Sequence, residues 1–165
     1  MQTRQQKDAL RALEDVQEIL KEANQKKEKG EDFKKSYATA VHRFPFLIRQ
    51  NGLQQTLAFY AGKAEAKKEN DQNTGSTAEG HFFNHILKTL KLSNSGDRVE
   101  ILKKLAKAEL ESYMHSTRRC LEVAIWYRRF VESVLKIDAT GSPIKEKDNS
   151  KEDGDVDSDA TNSPS

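Results

Sequence analysis

Stepped at about 100° per residue, Ala9, Leu13, Val16, Ile19, Leu20 and Ala23 fall on one stripe, with Lys, Glu and Gln elsewhere. The pattern predicts a first helix from about Thr3 to Lys29, ended by Gly30. A second helix carries Phe33, Tyr37, Ala40, Val41 and Phe44, and Pro45 is expected to bend the chain because it disfavours helical geometry in the residue before it. One further turn follows, and Asn51-Gly52 supplies a left-handed stop. Leu53, Leu57, Tyr60, Ala61 and Ala64 mark the next helix. Residues 70–75 are a polar connector. Ser76-x-x-Glu79 has capping-box spacing before Phe82, Phe83, Ile86, Leu87 and Leu90. Asp97-x-x-Glu100 repeats that signal before Val99, Ile101, Leu102 and Leu105.

The last helix, about Glu109 to Lys136, is the most apolar. Its main face is Leu110, Tyr113, Thr117, Cys120, Leu121, Ala124, Val131 and Leu135, widened by Val123, Trp126, Tyr127, Phe130 and Val134. An arc that wide belongs at the centre of a bundle or is shared with another chain, which makes Trp126 and Phe130 candidate subunit contacts. No useful stretch alternates with period two. The expected fold is all-α: one bundle of five or six helices over residues 1–137, then a disordered acidic tail over 138–165.

Charge sharpens this division. The formal net charge of +2 hides eight acidic and three basic residues from Asp138 onward, a net of −5, against +7 for the body. A body of that sign attracts polyanions such as RNA. The single cysteine excludes a disulfide framework, and no apolar run is long enough to span a bilayer. The amino terminus has no signal-peptide core, so a cytoplasmic protein without membrane contact is expected.

Candidate chemistry is sparse. Cys120 and His115 share a helix but point apart, and Cys120 reads as core. His81 and His85, four apart, could face one metal, but Phe82 stands where a zinc-protease motif has Glu; no metal or cofactor is expected. His42, between apolar residues, reads as a core or interface group. Asp153, Asp155, Asp157 and Asp159 alternate like a calcium loop but lack its Gly and Glu. Nothing supports an enzyme. What remains is basic helix surface: Arg118, Arg129 and Lys136 on one face of the last helix, Lys88 and Lys91 on another helix, and Lys103, Lys104 and Lys107 on the next. Lys34 and Lys35 precede the turn that holds Arg43 and Arg49. Such groups position a nucleic-acid strand through its phosphates.

The run from Tyr37 to Tyr60 carries a family resemblance. Pro45, then Ile48-Arg49-Gln50-Asn51-Gly52-Leu53, then Thr56-Leu57-Ala58-Phe59 resembles the small subunit of the type III-B CRISPR (Cmr) RNA-targeting complex. Tyr113, Thr117, Leu121 and Trp126-Tyr127-Arg128-Arg129-Phe130 are similar to that family's last helix. The resemblance spans roughly residues 30 to 137. It implies a non-catalytic helical subunit of an antiviral ribonucleoprotein, stacked in several copies along the crRNA–target RNA duplex beside backbone and large subunits. Within the motif, Pro45, Asn51, Gly52 and Leu53 read as architecture, leaving Arg49 and Gln50 free to touch RNA or a neighbouring subunit. The alternatives are the small subunit of a related CRISPR effector and a helical adaptor that binds only protein.

Overall fold

The computed structural model describes residues 1–66, 77–92 and 97–145. Among the described residues five helices follow one another: α1 (Arg4–Gln25), α2 (Gly30–Ala66), α3 (Ala78–Thr89), α4 (Arg98–Ala106) and α5 (Leu110–Phe130). The fold is all-α, with no strand among the described residues. The acidic residues beyond Lys145 lie outside the described residues.

α1 opens on a reciprocal cap. The Thr3 hydroxyl accepts from the Gln6 N–H, and the Gln6 side chain accepts from the Thr3 N–H at 2.8 Å. Val16, Ile19 and Ala23 of the expected stripe are buried, but Ala9, Leu13 and Leu20 are only partly so; the buried line runs instead through Ala12, with Asp8 and Asp15 on it. At the corner after α1, Gly30 is not a left-handed stop. It is right-handed helical (φ −65°) and begins α2; Lys27 takes the positive φ instead. Glycine is required there for space, because a Cβ would lie 2.2 Å from the Ala23 carbonyl oxygen.

α2 corrects a second expectation. The helical backbone runs through Pro45 without interruption, and the non-helical residue inside α2 is Gly52, at φ 79° and ψ 165°. That region is accessible essentially to glycine alone. The two halves of α2 fold back on each other there as a hairpin, with Phe44 against Tyr60 at 5.8 Å between ring centroids. Pro45 is buried in this packing, and Tyr60 reaches across and donates to the Ala40 carbonyl at 2.7 Å. Leu53, directly after the break, is fully buried.

α3 is capped by Thr77, whose hydroxyl accepts from the Gly80 N–H at 3.0 Å, so the start signal acts one residue later than Ser76. Asp97 caps α4 through the Val99 N–H at 3.1 Å, while Glu100 pairs with Lys103 instead of completing a box. α5 is centred on Cys120, Val123, Ala124 and Tyr127. Leu110, expected on its inner face, is the first residue of the helix and is exposed. A π-helical turn (Val131–Leu135) extends α5 and ends at Lys136, which is left-handed (φ 57°).

The expected tail boundary at residue 138 falls within ordered structure. Ile137 is buried and bridges to Pro143, and Asp138 accepts from Thr140 and Ser142 across a tight turn. At the centre of the bundle, Phe82 meets Tyr37, Phe44, Tyr60 and Tyr127 in T-shaped contacts, tying both halves of α2 and α5 to α3.

Candidate nucleic-acid interface

Two ladders of polar contact fix how α1 lies on the bundle. Asp8 is held by both guanidinium nitrogens of Arg119, and Asp15 accepts from the Tyr127 hydroxyl at 2.6 Å. The pairings advance together, so α1 and α5 run parallel. α3 runs the other way, with His81 near Glu22 at 3.0 Å and Lys88 near Asp15 at 3.5 Å.

This arrangement places the amino-terminal half of α1 beside the end of α3 and the start of α5. The three enclose a cleft of about 470 Å³, into which Lys7 and Arg11 of α1 project beside Lys91 and His115. Arg4 and Arg119 also line it, but each is engaged, Arg4 by Glu122 and Arg119 by Asp8. Asp8 raises the Arg119 pKa through its hydrogen bonds, outweighing burial. Asp8 also lines the cleft, but with Asp8 paired to Arg119 the remaining charge there is positive, and a concave surface of one sign concentrates polyanions. The α1 residues of this cleft were missed from the sequence because they lie outside the family motif and read as ordinary solvated charge.

Asp15 belongs to a closed network below the cleft. His85 Nδ1 lies 2.8 Å from the Tyr37 hydroxyl, its Nε2 lies 3.8 Å from Asp15, and its ring stacks on Tyr127 at 6.1 Å. Burial, then Lys88 and His81, push the His85 pKa down to about 3, so the ring is neutral at working pH. Burial first, and Asp15 next, raise the Tyr37 and Tyr127 hydroxyls well above their ordinary value. Asp15, Glu18 and His85 each offer an atom within 4.8 Å of the others, but a metal there would have to displace Lys88 and the Tyr127 hydrogen bond. His81 and His85 do not share a metal-facing side: their rings are tilted, with centroids 6.4 Å apart, and His81 turns to Glu22. Cys120 is buried, and burial pushes its thiol up to about 12, which suits a core residue. His42 is partly buried, with its pKa lowered by desolvation.

The residues singled out from the sequence separate into distinct places. Arg49, Gln50 and Asn51 are exposed on the corner before Gly52. Lys88 faces Asp15, whereas Lys91 lies beyond the end of α3 in left-handed geometry (φ 58°) and joins the cleft, so the two do not share a helix face. Arg118 and Arg129 are both exposed, about three turns apart along α5 at nearly the same angle. Lys136 is off that face, because the π turn and its left-handed end intervene. Trp126 and Phe130 are half-buried and stacked at 6.1 Å beside Ile125, which is 55% exposed.

Residues 4–134 match the family model for CRISPR-associated protein Cas_Cmr5. A curated relative from Thermus thermophilus, the CRISPR system Cmr subunit Cmr5, is 29% identical over 136 residues, covering 82% of this chain and 99% of the relative. The crystal structure of a Cmr5 family protein from Thermus thermophilus superposes with a TM-score of 0.57 at 28% identity, again covering 82% of this chain and 99% of the other. The α1 helix, which the sequence motif did not reach, lies inside the matched region. Together with the all-helical bundle and the glycine break at residue 52, these matches place the chain in the Cas_Cmr5 family, the small subunits of the type III-B CRISPR Cmr complex.

Proposed function

We propose that the chain is a non-catalytic subunit that helps the Cmr complex retain its target RNA. The carrying observation is the cleft in which Lys7 and Arg11 of α1, Lys91 just past α3, and His115 of α5 converge, with no acidic side chain among the described residues paired to Lys7, Arg11 or Lys91. Arg118 and Arg129 on α5, and Arg49 with Gln50 on the α2 corner, supply further phosphate contacts. In this reading several copies stack along the crRNA–target duplex beside the backbone and large subunits, in the cytoplasm, as part of antiviral defence. RNA cleavage belongs to other subunits.

Stacking of identical copies needs two different complementary surfaces. Ile125 with the Trp126–Phe130 pair is the candidate for one of them. That same surface favours the second reading, an adaptor that binds only protein. The experiment that separates the two is target-RNA retention by a reconstituted complex carrying Lys7→Glu with Arg11→Glu. Retention falls if the cleft holds RNA, and stays at the wild-type level if the subunit only bridges proteins.

A further inference from the structure

A second groove lies on the α2 hairpin, away from the α1 cleft. It encloses about 210 Å³ between the two halves of α2 and the first turn of α3, with Lys35, Arg43, Phe59, Lys63 and Glu79 in its lining. Three of its features have no use in the fold. Phe59 is 41% exposed, although Leu53, Leu57, Tyr60 and Ala61 on the same half-helix are buried. Lys63 holds its ammonium over the Phe59 ring, 5.3 Å from the centroid, and Tyr60 meets the ring at right angles at 5.4 Å, so the ring is held in place and a stacking base would take the position of the Lys63 ammonium, freeing it for a phosphate. Glu79 Oε2 has no hydrogen-bond donor among the described residues, despite three cations in the same groove, and a rotation of its side chain is needed to present that oxygen to the groove.

A buried carboxylate oxygen without a donor is costly, and native structures rarely leave one unless something else supplies the proton. A ligand fitted to this groove must therefore bring N–H donors for Glu79, a flat ring for Phe59, and negative charge for Lys35, Arg43 and Lys63. An acidic peptide would satisfy the cations but be repelled by Glu79. An apolar segment would cover Phe59 and leave every charge unmet. An unpaired nucleotide carries all three groups, in the sequence phosphate, ring, exocyclic amine.

We propose that this groove is a subsite for one unpaired RNA nucleotide: Phe59 stacks its base, Glu79 accepts from the base amino group, and Lys35, Arg43 and Lys63 hold the adjoining phosphates. The site rests on the RNA-retention reading and extends it from backbone contact to base discrimination. Adenine, cytosine and guanine each present an amino group to a carboxylate. Uracil presents two carbonyl oxygens and a single N–H between them, so it is the poorest occupant.

The test is fluorescence anisotropy of the full chain with labelled six-nucleotide RNAs of A, C or U, beside the Phe59→Leu, Glu79→Gln, Lys63→Ser and Lys7→Glu/Arg11→Glu variants, with helicity checked by circular dichroism. Wild type is expected to bind A and C more tightly than U. Phe59→Leu should weaken every RNA by about fivefold or more, as loss of a stacking platform does. Glu79→Gln should erase the disadvantage of U, because an amide can donate to a carbonyl where a carboxylate cannot. Lys63→Ser, on an exposed side chain, should flatten the salt dependence and remains informative should Phe59→Leu unfold. Equal affinity for A, C and U, or wild-type binding by both Phe59→Leu and Lys63→Ser, overturns the subsite. If only Lys7→Glu/Arg11→Glu then loses affinity, RNA retention stands without it; if no RNA binds wild type, both fall.

Discussion

The Tyr113 hydroxyl of α5 stands 3.1 Å from the Gln54 N–H and accepts its hydrogen bond, capping the second half of α2 just after the Gly52 break. A helix start leaves its first N–H groups without partners inside the helix. Here a side chain fifty-nine positions away supplies one. The same hydroxyl sits 3.2 Å from where a Cβ on Gly52 would be built. The hairpin corner and α5 are therefore fitted to each other through these two residues. Tyr113→Phe should lower unfolding free energy by about 1 kcal/mol, the ordinary net worth of a hydrogen bond. Gly52→Val should cost more, because it adds forbidden backbone geometry to the crowding. Chemical denaturation measures both, and an unchanged midpoint for Gly52→Val would contradict the corner as described.

The Asp8–Arg119 pair is a stronger constraint. Asp8 is almost fully buried, and the Arg119 side chain is only 14% exposed. Asp8→Ala would leave that guanidinium only the longer contact to Glu122 at 4.0 Å, at a cost of roughly 3 kcal/mol. Replacing both, as Asp8→Leu with Arg119→Met, should recover most of the loss. A thermal denaturation cycle over the single and double variants reads the coupling, and additive losses would contradict it.

His85 gives the protein a defined acid sensitivity. Its folded pKa of about 3 lies below the usual 6.5, so between those values the unfolded chain binds the extra proton. Stability from this group is complete above about pH 6.5 and declines as pH falls, at up to about 1.4 kcal/mol per pH unit, until about pH 3. His42, also lowered, adds in the same direction. His85→Gln should be less stable at neutral pH, because it disturbs the Tyr37 contact, yet show a shallower loss between pH 6 and 4. Parallel wild-type and variant curves of midpoint against pH would exclude His85 as the source.

On α5, Ile125 tests the stacking surface better than Trp126, because Trp126 packs partly on the core while Ile125 does not. Ile125→Glu is expected to leave the melting temperature within about 2 °C of wild type, as exposed substitutions do. It should also reduce the number of subunit copies per complex seen by native mass spectrometry. Full copy number would mean that this surface faces solvent.

The helical plan was legible because its punctuation is local. Gly52 follows Asn51 and precedes a buried Leu53, and each signal acts within a few residues. Cys120 was legible as core for the same reason, since it lies on the stripe that is buried. What stayed hidden depends on contacts between distant segments. Gly30 is glycine because Ala23 comes within contact distance, and Pro45 is buried inside a helix that Tyr60 crosses to reach Ala40. Asp8 and Asp15 were hidden because charge was read as surface. Yet the run Asp8, Ala12, Asp15, Ile19 has the spacing of one helix stripe, and that spacing was the available sign that both carboxylates are buried. The α1 cleft could be assembled only once Arg119 and Lys91 were placed against α1.

The most direct measurement is the salt dependence of target-RNA binding by the reconstituted complex, with and without this subunit, between about 50 and 200 mM salt. Each phosphate contact contributes close to one unit to the slope of log affinity against log salt. If the subunit holds RNA through the cleft and the α5 face, the complex lacking it should show a slope shallower by roughly two units or more, and Lys7→Glu/Arg11→Glu an intermediate one. Identical slopes in all three complexes would contradict RNA retention by this subunit and leave it a purely protein-binding component.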